Sequence, residues 1–361
     1  MDTKIVKDNS LVISKVEEIL QEVYLSNKPF NDAFNAEFPI EINSLINDRQ
    51  PYKVETSEIL FWTDRNAYID ELENWNSGLI EEENREALDL LVETDKIHIF
   101  LELVSSIQRK RIAPFIGAGL SAPLGFPSWG NALREIRNRL ADLDLEEVVG
   151  LINEYKYLEA AEILLQKDDT QFFNYINEKF SIRRGWSTEE IVISAVKLLP
   201  EIASGCVITT NYDKVIEKVF EFSNRPFEGL MHGTQQIHTF VSDLIKGDRC
   251  ILKLHGIVGE RNTYILSKSQ YDDAYGEIVD FRKPLPKTLR QIYISHSLLF
   301  LGCSLEQDRT LDLFKQIKDE GFFEIPEHFA VLPKPASALE KRLKENRLLQ
   351  MNIKVIWYPA D

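Results

Sequence analysis

From residue 109 onward the chain alternates short apolar runs with stretches of helical periodicity. Ile112-Ala113-Pro114-Phe115-Ile116 is one such run and stops at Gly117. Cys206-Val207-Ile208-Thr209-Thr210, Ile251-Leu252-Lys253-Leu254 and Leu298-Leu299-Phe300-Leu301 follow, then Phe329-Ala330-Val331-Leu332 and Ile353-Lys354-Val355-Ile356-Trp357. Each has the length and continuous apolar character of a buried strand. Between them, residues 129–200 place Leu133, Ile136, Leu140, Tyr157, Ala160, Ile163 and Leu164 at spacings that suit helices, and 213–222 and 308–319 also read as helix. Strands alternating with helices predict an α/β fold, with a mostly parallel sheet covered on both faces. In such a sheet ligands bind at the carboxyl ends of the strands.

The first 108 residues read differently. Residues 10–25 and 79–108 carry apolar positions at helical spacing, with Ile80, Ala87, Leu88, Leu91 and Leu101 set among acids. Pro29, Pro39 and Pro51 break up the stretch between, where shorter helices and loops are expected. The chain is therefore divided into a mainly helical N-terminal unit, 1–108, and a second domain, 109–361.

Charge sharpens this division. The net charge is −16, and residues 1–108 hold 23 acids against 9 bases, while the remainder holds 35 against 33. A strongly acidic surface repels phosphate, so direct nucleic-acid binding is not expected of the N-terminal unit. A solvated acidic face explains this charge more simply than a dedicated site for a basic partner. No run of about 18 apolar residues predicts a membrane span. The opening residues lack the apolar stretch of a secretory signal. Cys206, Cys250 and Cys303 are odd in number and far apart, which suits neither a disulfide framework nor a CxxC metal pair. A reducing cytoplasm is the expected location.

The singular loops fall at the predicted strand ends. Gly117-Ala118-Gly119-Leu120-Ser121 follows the first strand, and two glycines there would let backbone amides approach a phosphate. Ala122 stands where a dinucleotide fingerprint has its third glycine, and no Gly-Lys-Ser/Thr follows, so neither a GxGxxG nor a P-loop is present. Alone, the segment reads equally as a tight strand-to-helix turn. Asn211 and Asp213 close the second strand. An amide there can hold a ribose hydroxyl or a water, whereas Asp213 serves as readily to cap the following helix. His255-Gly256 ends the third strand and presents a group able to act as a base near neutral pH. Gly302 and Ser304 end the fourth, where a plain turn and cap are the simpler alternative. His98, His232, His238, His296 and His328 are taken as structural or surface residues.

The order GAG-x-Ser, Asn-x-Asp, His-Gly, Gly-x-Ser-Leu resembles the sirtuin family. More closely, 117–129 (GAGLSAPLGFPSW), 209–213 (TTNYD) and 300–305 (FLGCSL) resemble the sirtuin-like domains of bacterial anti-phage defence proteins. The resemblance covers residues 109–361. It implies a Rossmann-like sheet with an inserted helical subdomain, supplied largely by 129–200, and NAD bound across the strand ends. It further implies that Gly117, Ala118, Gly119 and Ser121 hold the phosphates, and that Asn211 and Asp213 sit by the nicotinamide ribose. His255 is then the base, while Gly302 and Ser304 face the adenosine half.

Two departures redirect the implied chemistry. Sirtuin deacetylases carry a four-cysteine zinc module after the catalytic histidine, but no cysteine lies between His255 and Gly302, so no zinc is expected. Ser128-Trp129-Gly130 follows Phe126-Pro127 where those enzymes have an acidic residue, Phe and Arg. Both departures favour water as the acceptor. The resemblance thus implies an NAD hydrolase producing nicotinamide and ADP-ribose, with NAD as substrate and no resident metal. The implied setting is NAD depletion in anti-phage defence, controlled by a homo-oligomer or by a partner such as a HerA-type hexameric ATPase, through the N-terminal unit. An NAD- or ADP-ribose-binding scaffold with a degenerate site, and a protein deacylase, are the alternatives.

Overall fold

A computed structural model describes residues 3–42, 51–140, 146–182, 194–236, 239–306 and 309–359, with side chains of the first helix from Val12 onward. His238 and the helical expectation over 183–193 lie outside the described residues. Two compact units result, Met1–Leu90 and Leu91–Asp361.

The first unit is built on aromatic packing. Helices Thr3–Ser26, Lys28–Glu37, Thr56–Thr63 and Arg65–Glu83 surround buried Tyr24, Phe30, Phe61 and Tyr68. Tyr68 meets Phe30 and Phe61 edge-on, with ring centroids 5.3 and 5.0 Å apart. Rings bury much area per residue, so four of them make a core in a small unit. Their polar ends are satisfied: the Tyr68 hydroxyl donates to Asn31 Oδ1 at 2.7 Å, and Asn31 Nδ2 donates to the Tyr24 carbonyl at 2.8 Å. A short antiparallel pair, β1 (Ile40–Ile42) and β2 (Tyr52–Val54), interrupts the helices. The prolines of this stretch pointed to loops, and the pair was not anticipated.

The second unit begins earlier than the change of sequence pattern at residue 109. Helix Ile97–Gln108 packs on the last strand of the sheet and buries Ile99 and Leu103. Its anchors are Lys96 to Glu345 at 3.1 Å and Lys354 to Glu102 at 2.6 Å.

Seven strands follow: β3 (Ile112–Ile116), β4 (Cys206–Thr209), β5 (Gly229–His232), β6 (Cys250–Lys253), β7 (Ser297–Leu301), β8 (His328–Pro333) and β9 (Ile353–Tyr358). All pair in parallel, in the order β5-β6-β4-β3-β7-β8-β9. The chain starts at the centre, moves outward through β4 and β6, then returns to the other side of β3 for β7, β8 and β9. This is the Rossmann arrangement with β5 added at one edge, and its switch point lies between β3 and β7.

Burial on both faces explains the continuous apolar runs. Ala113, Phe115, Ile208 and Leu252 face one core, with Leu289, Tyr293 and Phe314. Ile116, Val207 and Ile251 face the other, made with the helices inserted between β3 and β4. Those helices are Trp129–Arg139, Glu146–Asn153, Tyr157–Lys167 and Asp169–Phe180. Leu133, Ile136, Ala160, Leu164, Phe172 and Ile176 are fully buried among them. Ser128 and Asp168 cap two of their starts. Edge strand β5 escaped the sequence reading because Met231 is its one buried side chain, so it has no apolar run. Among the described residues no helix is long and apolar enough to cross a membrane.

Candidate functional site

At the carboxyl end of β3 the glycine turn closes onto the end of β7. The Gly117 amide donates to the Leu301 carbonyl and the Gly119 amide to that of Gly302, both at 2.9 Å. Leu120 and Ser121 donate back to Gly117 and Ala118. Four of the five amides from 117 to 121 therefore already have backbone acceptors. A Cβ on Gly117 would sit 2.5 Å from the Gly302 carbonyl oxygen, and one on Gly302 would sit 2.5 Å from the Leu120 nitrogen. Gly302 also adopts φ +65°, which disfavours any side chain. These glycines let two backbone turns meet at the switch point. Ala118 is half-buried there and Gly119 is exposed.

Asn211 reaches under this turn from the end of β4. Its amide nitrogen donates to the Gly117 carbonyl at 3.2 Å and to Ser121 Oγ at 3.1 Å. A carbonyl only accepts, so the first bond fixes which end of the amide is nitrogen. Asn211 Oδ1 is buried and has no partner. An orphaned buried acceptor is uncommon, and a donor such as a ribose hydroxyl or a water would satisfy it. Thr209 sets the approach, because its hydroxyl donates to the Ile116 carbonyl and accepts the Asn211 amide, both at 3.0 Å.

Asp213 is also buried, and its carboxylate accepts the Val215 amide at 3.0 Å at the start of helix Val215–Phe222. Burial raises its carboxyl above the usual range, against the pull of the Lys253 ammonium, the Val215 amide and the Ser121 hydroxyl. Ser121 thus lies between Asn211 and Asp213. Lys253, the last residue of β6, is fully buried. Its ammonium donates to the Asp213 carbonyl and to Glu217 Oε1, the latter at 2.9 Å. The sequence reading passed over Lys253, since a lysine closing a strand ordinarily points to water.

Thr209 lies opposite Lys253 in the β4–β6 register, so Asn211 and His255 each stand two residues beyond that pair. Adjacent strands are about 4.8 Å apart, which places both residues at one end of the sheet. His255 is half-buried, and Tyr271 of helix Lys268–Tyr275 hydrogen-bonds its Nε2. Tyr212 links this end to the inserted helices. Its ring lies 5.6 Å from those of Trp129 and Phe180, 5.8 Å from Tyr264 and 6.2 Å from His255. Tyr271 was likewise missed, because a helical tyrosine sixteen residues from the histidine carries no local signal.

The structure thus gathers Gly117, Ala118, Gly119, Ser121, Asn211, Asp213, His255 and Gly302 at the strand ends. Ser304 is exposed beyond Gly302, before Leu305 at φ +50°. The assembled groups are an imidazole, an unpaired acceptor, a buried carboxyl and apolar aromatic walls. Such a set can hold a polar ligand and take up a proton.

Comparisons with known proteins show what the chain is similar to. A family profile described as a SIR2-like domain matches residues 205–356, which include Asn211, Asp213, His255, Gly302 and Ser304. Three curated relatives described as NAD(+) hydrolase ThsA are similar to the chain. That of Cytobacillus dafuensis is 26% identical over 219 residues, covering 60% of this chain and 40% of the relative. That of Acinetobacter baumannii is 27% identical over 220 residues, covering 58% and 39%. That of Bacillus cereus (strain MSX-D12) is 28% identical over 217 residues, covering 60% and 42%. The matches thus span about two-fifths of these relatives. A solved Sir2 homologue mutant in complex with ADP-ribose is 13% identical, with a TM-score of 0.32, covering 66% of this chain and 91% of that one. The chain carries a SIR2-like domain and is homologous to these hydrolases.

Proposed function

We propose that this chain, carrying a SIR2-like domain, hydrolyses NAD to nicotinamide and ADP-ribose at the strand ends of β3, β4 and β6. The observation that carries the reading is the orphaned Asn211 Oδ1. It is buried, its amide nitrogen is held by Gly117 and Ser121, and it stands at the same end of the sheet as His255.

The bond between nicotinamide and ribose breaks through an oxocarbenium-like transition state, and nicotinamide leaves as a neutral molecule. No strong acid is needed. The protein must position NAD, shield the cation and deliver water. Asn211 Oδ1 accepts a hydrogen bond from a ribose hydroxyl or from the attacking water. His255 takes the proton that water loses as the new C–O bond forms, and Tyr271 fixes its ring. The aromatic wall of Tyr212, Trp129 and Phe180 limits solvent access. Asp213 contacts the ribose side through its position beside Ser121, while holding the helix behind it. Ala118, Gly119 and Ser304 face the phosphates and adenosine half at the rim, and Gly117 and Gly302 set the backbone beneath them.

NAD depletion during phage infection is the setting we propose, under control of assembly or of a partner such as a HerA-type ATPase. The Asp/Glu-rich N-terminal unit is where that control would act. Nicotinamide release from NAD by the purified chain, with and without candidate partners, tests the reading beside His255→Ala and Asn211→Ala. Loss of a general base lowers the rate by about 10²–10⁴-fold. Absence of release under every condition would sink the hydrolase. Tight NAD or ADP-ribose binding without release would favour a scaffold, and release only with an acetylated peptide would favour a deacylase.

A further inference from the structure

We propose that the first helix, Thr3–Ser26, pairs antiparallel with the same helix of a second copy of this chain. The inference is independent of the hydrolase reading. Leu20 and Tyr24 turn one side of this helix into the core of its own unit. A second stripe does not: Val12, Val16, Ile19 and Val23 are 63%, 49%, 52% and 47% exposed. Their spacing is four, three, four. This is the repeat that keeps one seam facing a partner helix in a coiled coil. All four are β-branched, a choice that disfavours helix on its own but packs stiffly into the holes of a facing helix. Ser14, Glu17 and Glu18 are exposed on the side of the helix away from this stripe.

The flanking positions select both the occupant and its direction. Ile13 and Leu20 border the stripe on one side, and Lys15 and Glu22 border it on the other. In a parallel pair each charged border faces the partner's apolar border. In an antiparallel pair centred between Val16 and Ile19, Val12 meets Val23 and Val16 meets Ile19 of the second copy. Lys15 then stands opposite Glu22, and Ile13 opposite Leu20. Like meets like on the apolar side and opposite charges meet on the other, so the surface is complementary to itself under a two-fold axis. The exposed apolar side chains amount to roughly 400 Å², about half of what each partner contributes to a standard interface of about 800 Å². The contact by itself is therefore reversible, and concentration controls it.

Sedimentation equilibrium on the full chain tests the proposal. The wild-type chain should show a concentration-dependent dimer. Val16→Glu with Ile19→Glu should leave a monomer with unchanged circular dichroism, since both positions face solvent in the single chain. Lys15→Glu should weaken the dimer by about tenfold, two opposite-charge contacts becoming like-charge ones. Adding Glu22→Lys to Lys15→Glu should restore it. A wild-type monomer, or a Val16→Glu/Ile19→Glu chain that keeps the wild-type mass, would overturn the dimer. Failure of the charge exchange to restore association would overturn the antiparallel register.

Discussion

Replacing Lys253 by methionine removes a charge that has no access to solvent. In the folded chain its ammonium is fully buried and serves two acceptors, the Asp213 carbonyl and Glu217 Oε1. Methionine keeps the stem and packs in the same space, so the loss is electrostatic rather than a cavity. Glu217, 16% exposed, is then left charged beside an unpaired carbonyl. Removing one partner of a buried pair costs about 3–5 kcal/mol, because the survivor stays desolvated without compensation. In a domain of this size 1 kcal/mol moves the melting temperature by about 2–4 °C, so a fall of roughly 6–20 °C is expected. Glu217→Leu combined with Lys253→Met removes both charges and should recover most of the loss, since an apolar replacement of a buried pair is often neutral. Urea titration of the four members of the cycle, followed by tryptophan fluorescence, gives the coupling directly. If Lys253→Met costs under about 1 kcal/mol, or the double variant is no more stable than the single one, the network does not hold this end of the sheet. The same variants report on function, because Lys253 holds the Asp213 backbone: NAD turnover should fall with Lys253→Met even where the chain remains folded.

Three further outcomes are expected. Gly302→Ala forces φ +65° on a residue with a side chain and drives Cβ to 2.5 Å from the Leu120 nitrogen, while Gly247→Ala at φ +93° meets nothing within 4 Å. The second should cost about 1 kcal/mol of backbone strain, and the first at least about 2 kcal/mol by thermal unfolding; equal losses would show that the two turns are not tightly packed. Tyr271→Phe leaves the ring and removes the bond to His255 Nε2. Turnover should fall and its pH profile shift while KM changes little, whereas an unchanged profile would deny Tyr271 a positioning role. His328 is buried at the start of β8 and accepts the Leu298 amide, and burial lowers its pKa from 6.5 to about 3. Between those values the unfolded chain binds a proton that the folded chain refuses, so stability is complete above pH 6.5 and falls as pH drops towards 3. The loss is about 1.4 kcal/mol per pH unit. His328→Gln should flatten that slope in urea melts at pH 7, 6 and 5, and an unchanged slope would mean that the histidine charges within the fold.

How far the chain could be read before folding differs from element to element. Six of the seven strands of the sheet were legible as continuous apolar runs, because a strand covered on both faces needs apolar side chains in both directions. The order of Gly117, Asn211, His255 and Gly302 was legible too, since each follows such a run. Strand β5 was not, because an edge strand with one buried side chain carries no period. The boundary of the N-terminal unit was placed by charge and pattern at 108, whereas packing of Ile99 and Leu103 draws helix Ile97–Gln108 into the second unit.

What the sequence determined by itself was local: which residues end strands, which repeat at helical spacing, and which residue types stand ready at the sheet's rim. Only the tertiary structure decided their partners. It set Gly302 against Gly117, spending most of the turn's amides on backbone carbonyls. It buried Lys253 beneath Asp213, put Tyr271 on His255, and left Asn211 Oδ1 without a partner. Each of these joins residues from different strands or helices. Burial and hydrogen-bond satisfaction depend on neighbours distant in the chain, and no local pattern encodes them.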